Sequence, residues 1–222
     1  MTSCPSSARM TEPSRYRRAS LAATLLLLVG ALPVQAHDAD FATSFERGEP
    51  VPADAEQADI SIAVGEGPER PYAARAKMGY TGQRALRYRA DAAGSARLFA
   101  VDIEVRKDTV LSWRVLPEIV DGDTAASTGV SVDLLFDDGR RLSQLGLTDH
   151  HGAPATAAGQ AASKTLYPQQ WAHKQVRVGD LAALRGRRIR AIELQLQPGS
   201  AAASTGWIDD VAVRRQAPQE VR

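Results

Sequence analysis

The feature that most constrains the fold is a set of short segments in which apolar residues recur at every second position. In residues 99–105 the apolar side chains alternate with Asp102 and Glu104. The same alternation is found in residues 84–89, 111–115 and 130–136. A period of two places one face of each segment in a core and the other toward water, which predicts half-buried antiparallel strands.

Further strand patterns occur at residues 60–64, 175–178 and 189–196, whereas no amphipathic helix of useful length is present. Residues 178–184 are compatible with one short helical turn capped by Asp180. The sequence therefore predicts an all-β protein, an antiparallel β-sandwich of the jelly-roll type with at most one short helix.

Residues 1–36 are organised like a secretory signal peptide. Arg15, Arg17 and Arg18 precede the apolar run of residues 21–29, and small residues follow at 34–36. This run is too short for a spanning helix and has the flanks of a cleaved leader. We therefore expect a bacterial secreted or periplasmic protein without a membrane span.

The chain beyond the leader has the length of one domain with its own core. We expect a monomeric sandwich over residues 37–215 and a disordered tail over 216–222. Cys4, the only cysteine, lies in the leader, so the exported domain would contain no disulfide. Its stability would depend on the core and on any bound metal.

The charge balance argues against two classes of partner, nucleic acids and anionic membranes. The chain has 27 basic and 26 acidic side chains, and removal of the leader makes it slightly acidic. A nucleic-acid-binding domain normally carries a basic surface, and so does a domain that binds anionic membranes. We therefore expect neither of these partners.

Acidic residues lie among apolar ones near both ends of the exported part, in residues 43–46 and 206–213. Carboxylates are rare in strands and costly to bury without compensation. A Ca²⁺ ion, which takes about six to eight oxygen ligands, is one form of compensation. An ion at this position would join the first strand to the last.

The candidate calcium ligands are two carboxylates and two carbonyl groups. Strand alternation puts Asp209 and Asp210 on opposite faces, and we expect Asp210 to point toward the ion with Glu46. Carbonyl groups near Gly48 and Gly82 would complete the shell. The alternative is that these acids are solvated, with Glu46 paired to an arginine.

The long polar segment from residue 146 to residue 170, with the tryptophan just after it, is the candidate sugar site. Aromatic faces stack on sugar rings, and polar side chains hydrogen-bond to sugar hydroxyl groups. The candidate carbohydrate-binding residues are Asp149, His150, His151, Tyr167 and Trp171. Alternatively, the two aromatic residues pack the segment onto the sandwich. Trp113 and Trp207 alternate with apolar residues, so we expect them in the core.

Two catalytic or metal interpretations have little support in the sequence. Zinc binding by His150, His151 and His173 lacks the usual ligand spacing, and no cysteine follows the leader. A glycosidase pair could be drawn from four acids, but no pattern selects one. These acids are Glu104, Glu118, Asp133 and Glu193. We therefore expect a protein that is not an enzyme.

Several segments occur in the order found in one known family. They are residues 41–46, 81–88, 130–139, 145–152, 163–171 and 206–210. In these segments the chain resembles the non-catalytic module attached to secreted bacterial α-mannosidases of glycoside hydrolase family 92. The resemblance implies a galactose-binding-like fold, a role in α-mannoside degradation and a mannose-containing glycan as partner, but no catalysis.

Two alternatives to this function remain at the level of sequence. The sandwich could be a structural or protein-interaction domain without sugar affinity. It could also be the N-terminal fragment of an interrupted family 92 α-mannosidase, because the large catalytic domain of that family has no counterpart in these residues.

Overall fold

The computed structural model describes residues 39–52, 55–56, 59–199 and 203–216. The expected signal peptide lies outside these residues, and so do residues 217–222 of the expected tail at 216–222. Within the described part, the alternating segments form strands as predicted, and the turns between them are rich in Gly, Pro and Asp.

The elements in chain order are β1 (Ala39–Thr43), β2 (Ala55–Glu56), β3 (Ile60–Glu66), β4 (Arg84–Ala90), β5 (Gly94–Glu104), β6 (Thr109–Pro117), β7 (Val130–Phe136), α1 (Ala157–Ser163), β8 (Ala172–Val176), β9 (Arg188–Leu196) and β10 (Ser204–Arg215). Short 3-10 turns occur at Leu142–Gln144, Val178–Asp180 and Ala182–Leu184.

Two antiparallel sheets make the sandwich. The larger sheet has seven strands in the order β2-β3-β4-β10-β6-β8, with β1 also paired to β10. The smaller sheet has three strands in the order β5-β9-β7. The predicted fold class, an antiparallel β-sandwich with one short helix, is confirmed.

The core lies between the inner faces of the two sheets. Trp113 on β6 is fully buried there, as predicted, and it packs in one apolar cluster with Tyr88, Phe136 and Ile208. Burying side chains of this size supplies most of the free energy that stabilises a domain, at roughly 25 cal/mol per Å² of apolar surface.

The first and last strands of the sandwich are neighbours. β1 runs antiparallel to β10, with Thr43 opposite Val211 and Phe41 opposite Val213. Backbone pairing therefore joins the two ends of the described chain directly.

The helix α1 lies inside the long polar segment of residues 146–170, where the sequence indicates no helix. The Thr156 hydroxyl caps its first turn by accepting the Gly159 N–H at 2.9 Å, and Lys164 ends it in the left-handed region. Its residues are mostly small, so it lacks the apolar periodicity by which helices are found. Among the described residues, no helix is both long and apolar enough to cross a membrane.

Gly206 on β10 gives a direct test of this packing. A Cβ atom there would overlap the Tyr88 hydroxyl and the Leu116 carbonyl. We expect Gly206→Ala to lower the free energy of unfolding by about 1–3 kcal/mol through overpacking. The matched control is Gly65→Ala in β3, where a Cβ would meet nothing within 4 Å. Urea unfolding curves that coincide for the two variants would contradict the close approach.

Candidate functional site

The outer face of the seven-stranded sheet carries a second, small apolar cluster. Trp207 is buried there with Ala85 and Leu116, and Trp171 packs against them. Trp207 is therefore buried as expected, but on the side of the sheet opposite to Trp113. The physical reason is an extra residue in β10 after Asp209, which reverses the alternation between Trp207 and Val211.

Trp171 is held in place by the backbone just before it. The N–H of Gln169 donates to the Pro117 carbonyl at 2.6 Å, and the Gln169 carbonyl accepts the N–H of Tyr72 at 2.6 Å. These two bonds connect the end of β6, the segment before β8 and the loop of residues 67–83. The loop is thereby fixed above the outer face of the sheet.

Three aromatic side chains surround a cleft of about 480 Å³ at this position. Tyr72, Tyr80 and Trp171 line it together with Gln170 and Arg75, and we call it the aromatic cleft. The rings of Tyr80 and Trp171 meet edge to face with centroids 6.2 Å apart. Tyr72 is 68% exposed, which leaves its ring free for contact with a ligand. The cleft combines apolar faces with amide and guanidinium donors.

Sequence reasoning found Trp171 but not its two tyrosine partners. Residues 65–79 have no periodicity and many Pro, Gly and Ala residues, so their sequence indicates only a loop. Tyr72 and Tyr80 were the only signal, since large aromatic residues in an otherwise polar loop need a packing partner or a ligand.

The loop that carries Tyr80 is anchored by carboxylates at both ends of the chain. Glu46 Oε1 accepts the N–H groups of Gln83 at 2.7 Å and Arg84 at 2.6 Å. Asp209 Oδ2 accepts the N–H of Thr81 at 3.0 Å. The two acidic segments that the sequence singled out therefore hold the same loop.

Asp209 and Asp210 occupy the bulge of β10. Asp210 has a φ of 48°, in the left-handed region that non-glycine residues seldom adopt. β10 pairs with β4 up to Ile208 and with β1 from Val211 onward, so the bulge fills the break between these two neighbours. The anchored loop closes the gap that this change of partner leaves.

Asp209 is fully buried, whereas Asp210 remains partly accessible. Burial raises the pKa of Asp209 to about 7, against the lowering effect of the Thr81 N–H, and the Asp210 charge raises it further. Burial also raises the pKa of Asp210, although the Thr81 hydroxyl donates to its Oδ2 at 3.0 Å. Two neighbouring carboxyl groups thus lie where water solvates them poorly. A bound cation would stabilise their ionised forms.

The predicted calcium ligands lie around the junction of the β10 bulge with the loop of residues 79–84, and they supply oxygen atoms of the kind that Ca²⁺ binds. Glu46 and Asp210 both contact the loop around Gly82, where a Cβ atom would overlap the Glu46 carboxylate. Gly48 and Gly82 have positive φ values of 90° and 79°. Among the described residues no three acidic, His or Cys side chains are grouped as a metal site. An ion would therefore need backbone carbonyl groups for much of its shell.

A second cleft of about 350 Å³ lies beside the anchored loop on the same face of the sheet. We call it the polar cleft, and its main charged and polar residues are Ser112, Arg114, His173, Asp210 and Arg214. Arg214 Nη2 donates to the Ser112 hydroxyl at 2.9 Å. The Arg114 guanidinium lies 4.0 Å from the ring centroid of Tyr80, so it connects this cleft with the aromatic one.

The three predicted histidines come together at the edge of the polar cleft. The ring centroids of His150 and His151 are 3.9 Å apart, and those of His150 and His173 are 5.2 Å apart. Burial lowers the pKa of His173 to about 4, and the charges of Arg114 and His150 add to this effect. The His173 side chain is therefore neutral at neutral pH. Only His173 of these three lines the cleft.

The Asp149 carboxylate is buried and hydrogen-bonded within the protein. Its Oδ2 accepts the Lys174 ammonium at 2.9 Å and the Gln160 amide at 3.1 Å, and both charged side chains are fully buried. Its Oδ1 accepts the N–H groups of His151 and Ala153. Both carboxylate oxygens are engaged inside the protein, so they are not available to hydroxyl groups of a sugar.

Tyr167 lies away from the aromatic cleft although it belongs to the same segment. Its side chain is 62% exposed, and it is not among the residues that line either cleft. The segment thus contributes Gln170 and Trp171 to a ligand-sized cleft.

Two of the four acids considered for catalysis are cross-strand partners. Asp133 on β7 lies opposite Glu193 on β9, and burial raises the pKa of Asp133. Ser143 and Gln195 donate to Asp133 Oδ2 at 2.7 and 3.0 Å, while Arg141 binds Glu193 at 2.8 Å. The pair is engaged in a polar network on the smaller sheet. Glu118 accepts the Trp207 indole N–H at 2.9 Å.

No protein-family model matches the chain, and no curated protein matches it. Solved structures similar to it include a carbohydrate-binding module of the β-sandwich superfamily described for promiscuous specificity, at 13% identity and TM-score 0.37 over 70% of this chain. The chain spans 54% of that protein. Another is the CBM22-1 xylan-binding domain of Xyn10C from Paenibacillus barcinonensis, at 14% identity and TM-score 0.39, covering 82% of this chain and 98% of that one.

A third similar structure is that of an exo-β-agarase, at 16% identity and TM-score 0.35. The match covers 76% of this chain and 24% of that protein.

The buried pair of Asp149 and Lys174 gives a test of stability. We expect Lys174→Met to cost about 3–5 kcal/mol, because it leaves a buried carboxylate without its cation. The double variant Asp149→Asn/Lys174→Met should be less destabilised, since no isolated charge remains. Urea unfolding of both variants at neutral pH measures the difference. A double variant as unstable as the single one would contradict the assignment.

Acid should weaken the same interaction. Burial tends to raise the pKa of Asp149, but the hydrogen bonds from Lys174 and Gln160 outweigh it and hold the pKa below the usual value. A carboxyl whose pKa is lowered by folding stabilises the protein above its unfolded-state pKa of about 3.9 and loses this contribution as the pH falls further. This loss should be absent from the double variant.

Proposed function

We propose that this protein is an exported, non-catalytic carbohydrate-binding module whose ligand contacts Tyr72, Tyr80 and Trp171. The observation that carries the proposal is the aromatic cleft itself. Its volume of about 480 Å³ is within the range of small-molecule sites. Sugar rings present C–H faces to aromatic side chains and hydroxyl groups to amide and guanidinium donors, and this cleft offers both kinds of contact.

The proposed ligand is a mannose-containing glycan. The support for mannose is the resemblance of the chain to the module attached to family 92 α-mannosidases. The proposal of a role without catalysis is supported by the engagement of Asp133 and Glu193 with Ser143, Gln195 and Arg141, because a glycosidase needs two carboxyl groups that face its substrate. A glycan array probed with the exported domain tests the class of ligand. Binding to mannose-rich glycans supports the proposal, and silence across the array favours a protein-interaction domain.

Tyr72→Ala separates binding from folding. The side chain is largely exposed, so its removal should leave the melting temperature within about 1–2 °C of wild type. We expect the affinity for the bound glycan to fall about tenfold, which corresponds to about 1.4 kcal/mol. The matched control is Tyr167→Ala, an equally exposed tyrosine outside the cleft, which should bind as wild type. Equal affinities of the two variants in calorimetry would refute the aromatic cleft as the binding site.

We also propose that Ca²⁺ stabilises the junction of Glu46 and Asp210 with the carbonyl groups near Gly48 and Gly82. The support is the pair of poorly solvated carboxylates in the β10 bulge. A chelator should lower the melting temperature, and added Ca²⁺ should restore it. A free Ca²⁺ concentration of a hundred times the dissociation constant would raise the free energy of unfolding by about 2.7 kcal/mol. Asp210→Ala should remove the response to Ca²⁺, and a melting curve that chelation leaves unmoved would exclude the ion.

A further inference from the structure

The aromatic and polar clefts meet at one short piece of backbone. Gly79, Tyr80 and Gly82 line the aromatic cleft, while Thr81 between them lines the polar cleft. The Arg114 guanidinium lies over the Tyr80 ring and also lines the polar cleft. A ligand that extends beyond the Tyr80 ring on this side therefore reaches Arg114 first.

The polar cleft offers both donors and acceptors. Arg114 and Arg214 supply guanidinium N–H groups, and Asp210 supplies a carboxylate that faces them. All three side chains line the same cleft, and Arg214 is held there by its hydrogen bond to the Ser112 hydroxyl at 2.9 Å. Sugar hydroxyl groups both donate and accept hydrogen bonds, so neighbouring opposite groups match them.

The other groups that face this cleft do not turn it into a simple anion site. Glu49 accepts the N–H and hydroxyl of Ser44 at 2.6 and 2.8 Å. The carboxylates of Glu49 and Asp210 therefore balance the two guanidinium groups. His173, opposite Arg114 across the β6–β8 pair, adds a ring that can donate through one nitrogen and accept through the other. A neutral polyhydroxyl group matches this cleft better than a free anion does.

We infer that the polar cleft is a second sugar subsite, continuous with the aromatic cleft, which binds the next unit of an oligosaccharide through Arg114, His173 and Arg214. The inference rests on the proposed function and specifies its ligand as an oligosaccharide of at least two units. The aromatic cleft supplies a stacking surface that suits many sugars, whereas the polar cleft selects among them by the positions of their hydroxyl groups.

The test measures affinity against chain length. The probes are mannose and linear α-linked manno-oligosaccharides of two to four units, and calorimetry measures their affinities. We expect the trisaccharide to bind about tenfold more tightly than mannose, because about two additional hydrogen bonds form in the polar cleft. Arg214→Met should remove most of this difference in affinity between mannose and the trisaccharide. The control is Arg190→Met on the smaller sheet, where the side chain pairs with Asp102 and should not affect binding.

His173→Ala provides a second variant, so the test survives if Arg214→Met does not fold, which the melting temperature reports. Equal affinity of the wild-type protein for mannose and the longer sugars overturns the inference. An increase in affinity with sugar length that is as large in Arg214→Met and His173→Ala as in wild type overturns it as well. In either case Tyr72→Ala still weakens binding if the proposed function is correct. Absence of binding by wild type to every member of the series overturns the proposed function, and the second subsite with it.

Discussion

The interaction on which both clefts depend is the anchoring of residues 79–84 by carboxylates in and beside the β10 bulge. β10 changes its neighbour from β4 to β1 at Asp209 and Asp210, and a regular ladder cannot continue across that change. Glu46 and Asp209 instead accept N–H groups of the loop that fills the gap. The backbone N–H groups of this loop, which a neighbouring strand would otherwise accept, are thereby accepted by carboxylate side chains.

This arrangement couples stability to the shape of the proposed binding surface. The loop that closes the gap in the sheet also carries Tyr80, and the strand beside it carries Arg114. Because Asp209 is fully buried next to another acid, its ionised form is costly, and any cation bound there would both stabilise the sandwich and fix the loop. The same residues thus link the ends of the chain and position the residues between the clefts.

Local periodicity predicted the strands well, because the apolar residues that face the core recur at every second position, even in β6 and β7, where both faces are largely buried. It failed where the chain departs from regular alternation. The extra residue beside Asp210 moves Trp207 to the outer face, and no local pattern marks a bulge formed by an aspartate with positive φ. The sequence does not predict that Tyr72 and Tyr80 line the aromatic cleft, because a loop without periodicity gives no indication of which surface it covers. The pairing of Asp149 with Lys174 depends on tertiary contact alone.

The segment between β7 and β8 combines a buried ion pair with residues that line the proposed binding cleft. Breaking a buried ion pair leaves an uncompensated charge, so the contact of Asp149 with Lys174 favours one arrangement of this segment. Asp149 and Gln160 tie this segment to Lys174, the fully buried neighbour of His173 on β8. Alternation along β8 then directs Lys174 inward and His173 toward the polar cleft, with Trp171 just before the strand at the aromatic cleft. The internal ion pair and the surface that a ligand would meet are therefore on opposite faces of β8.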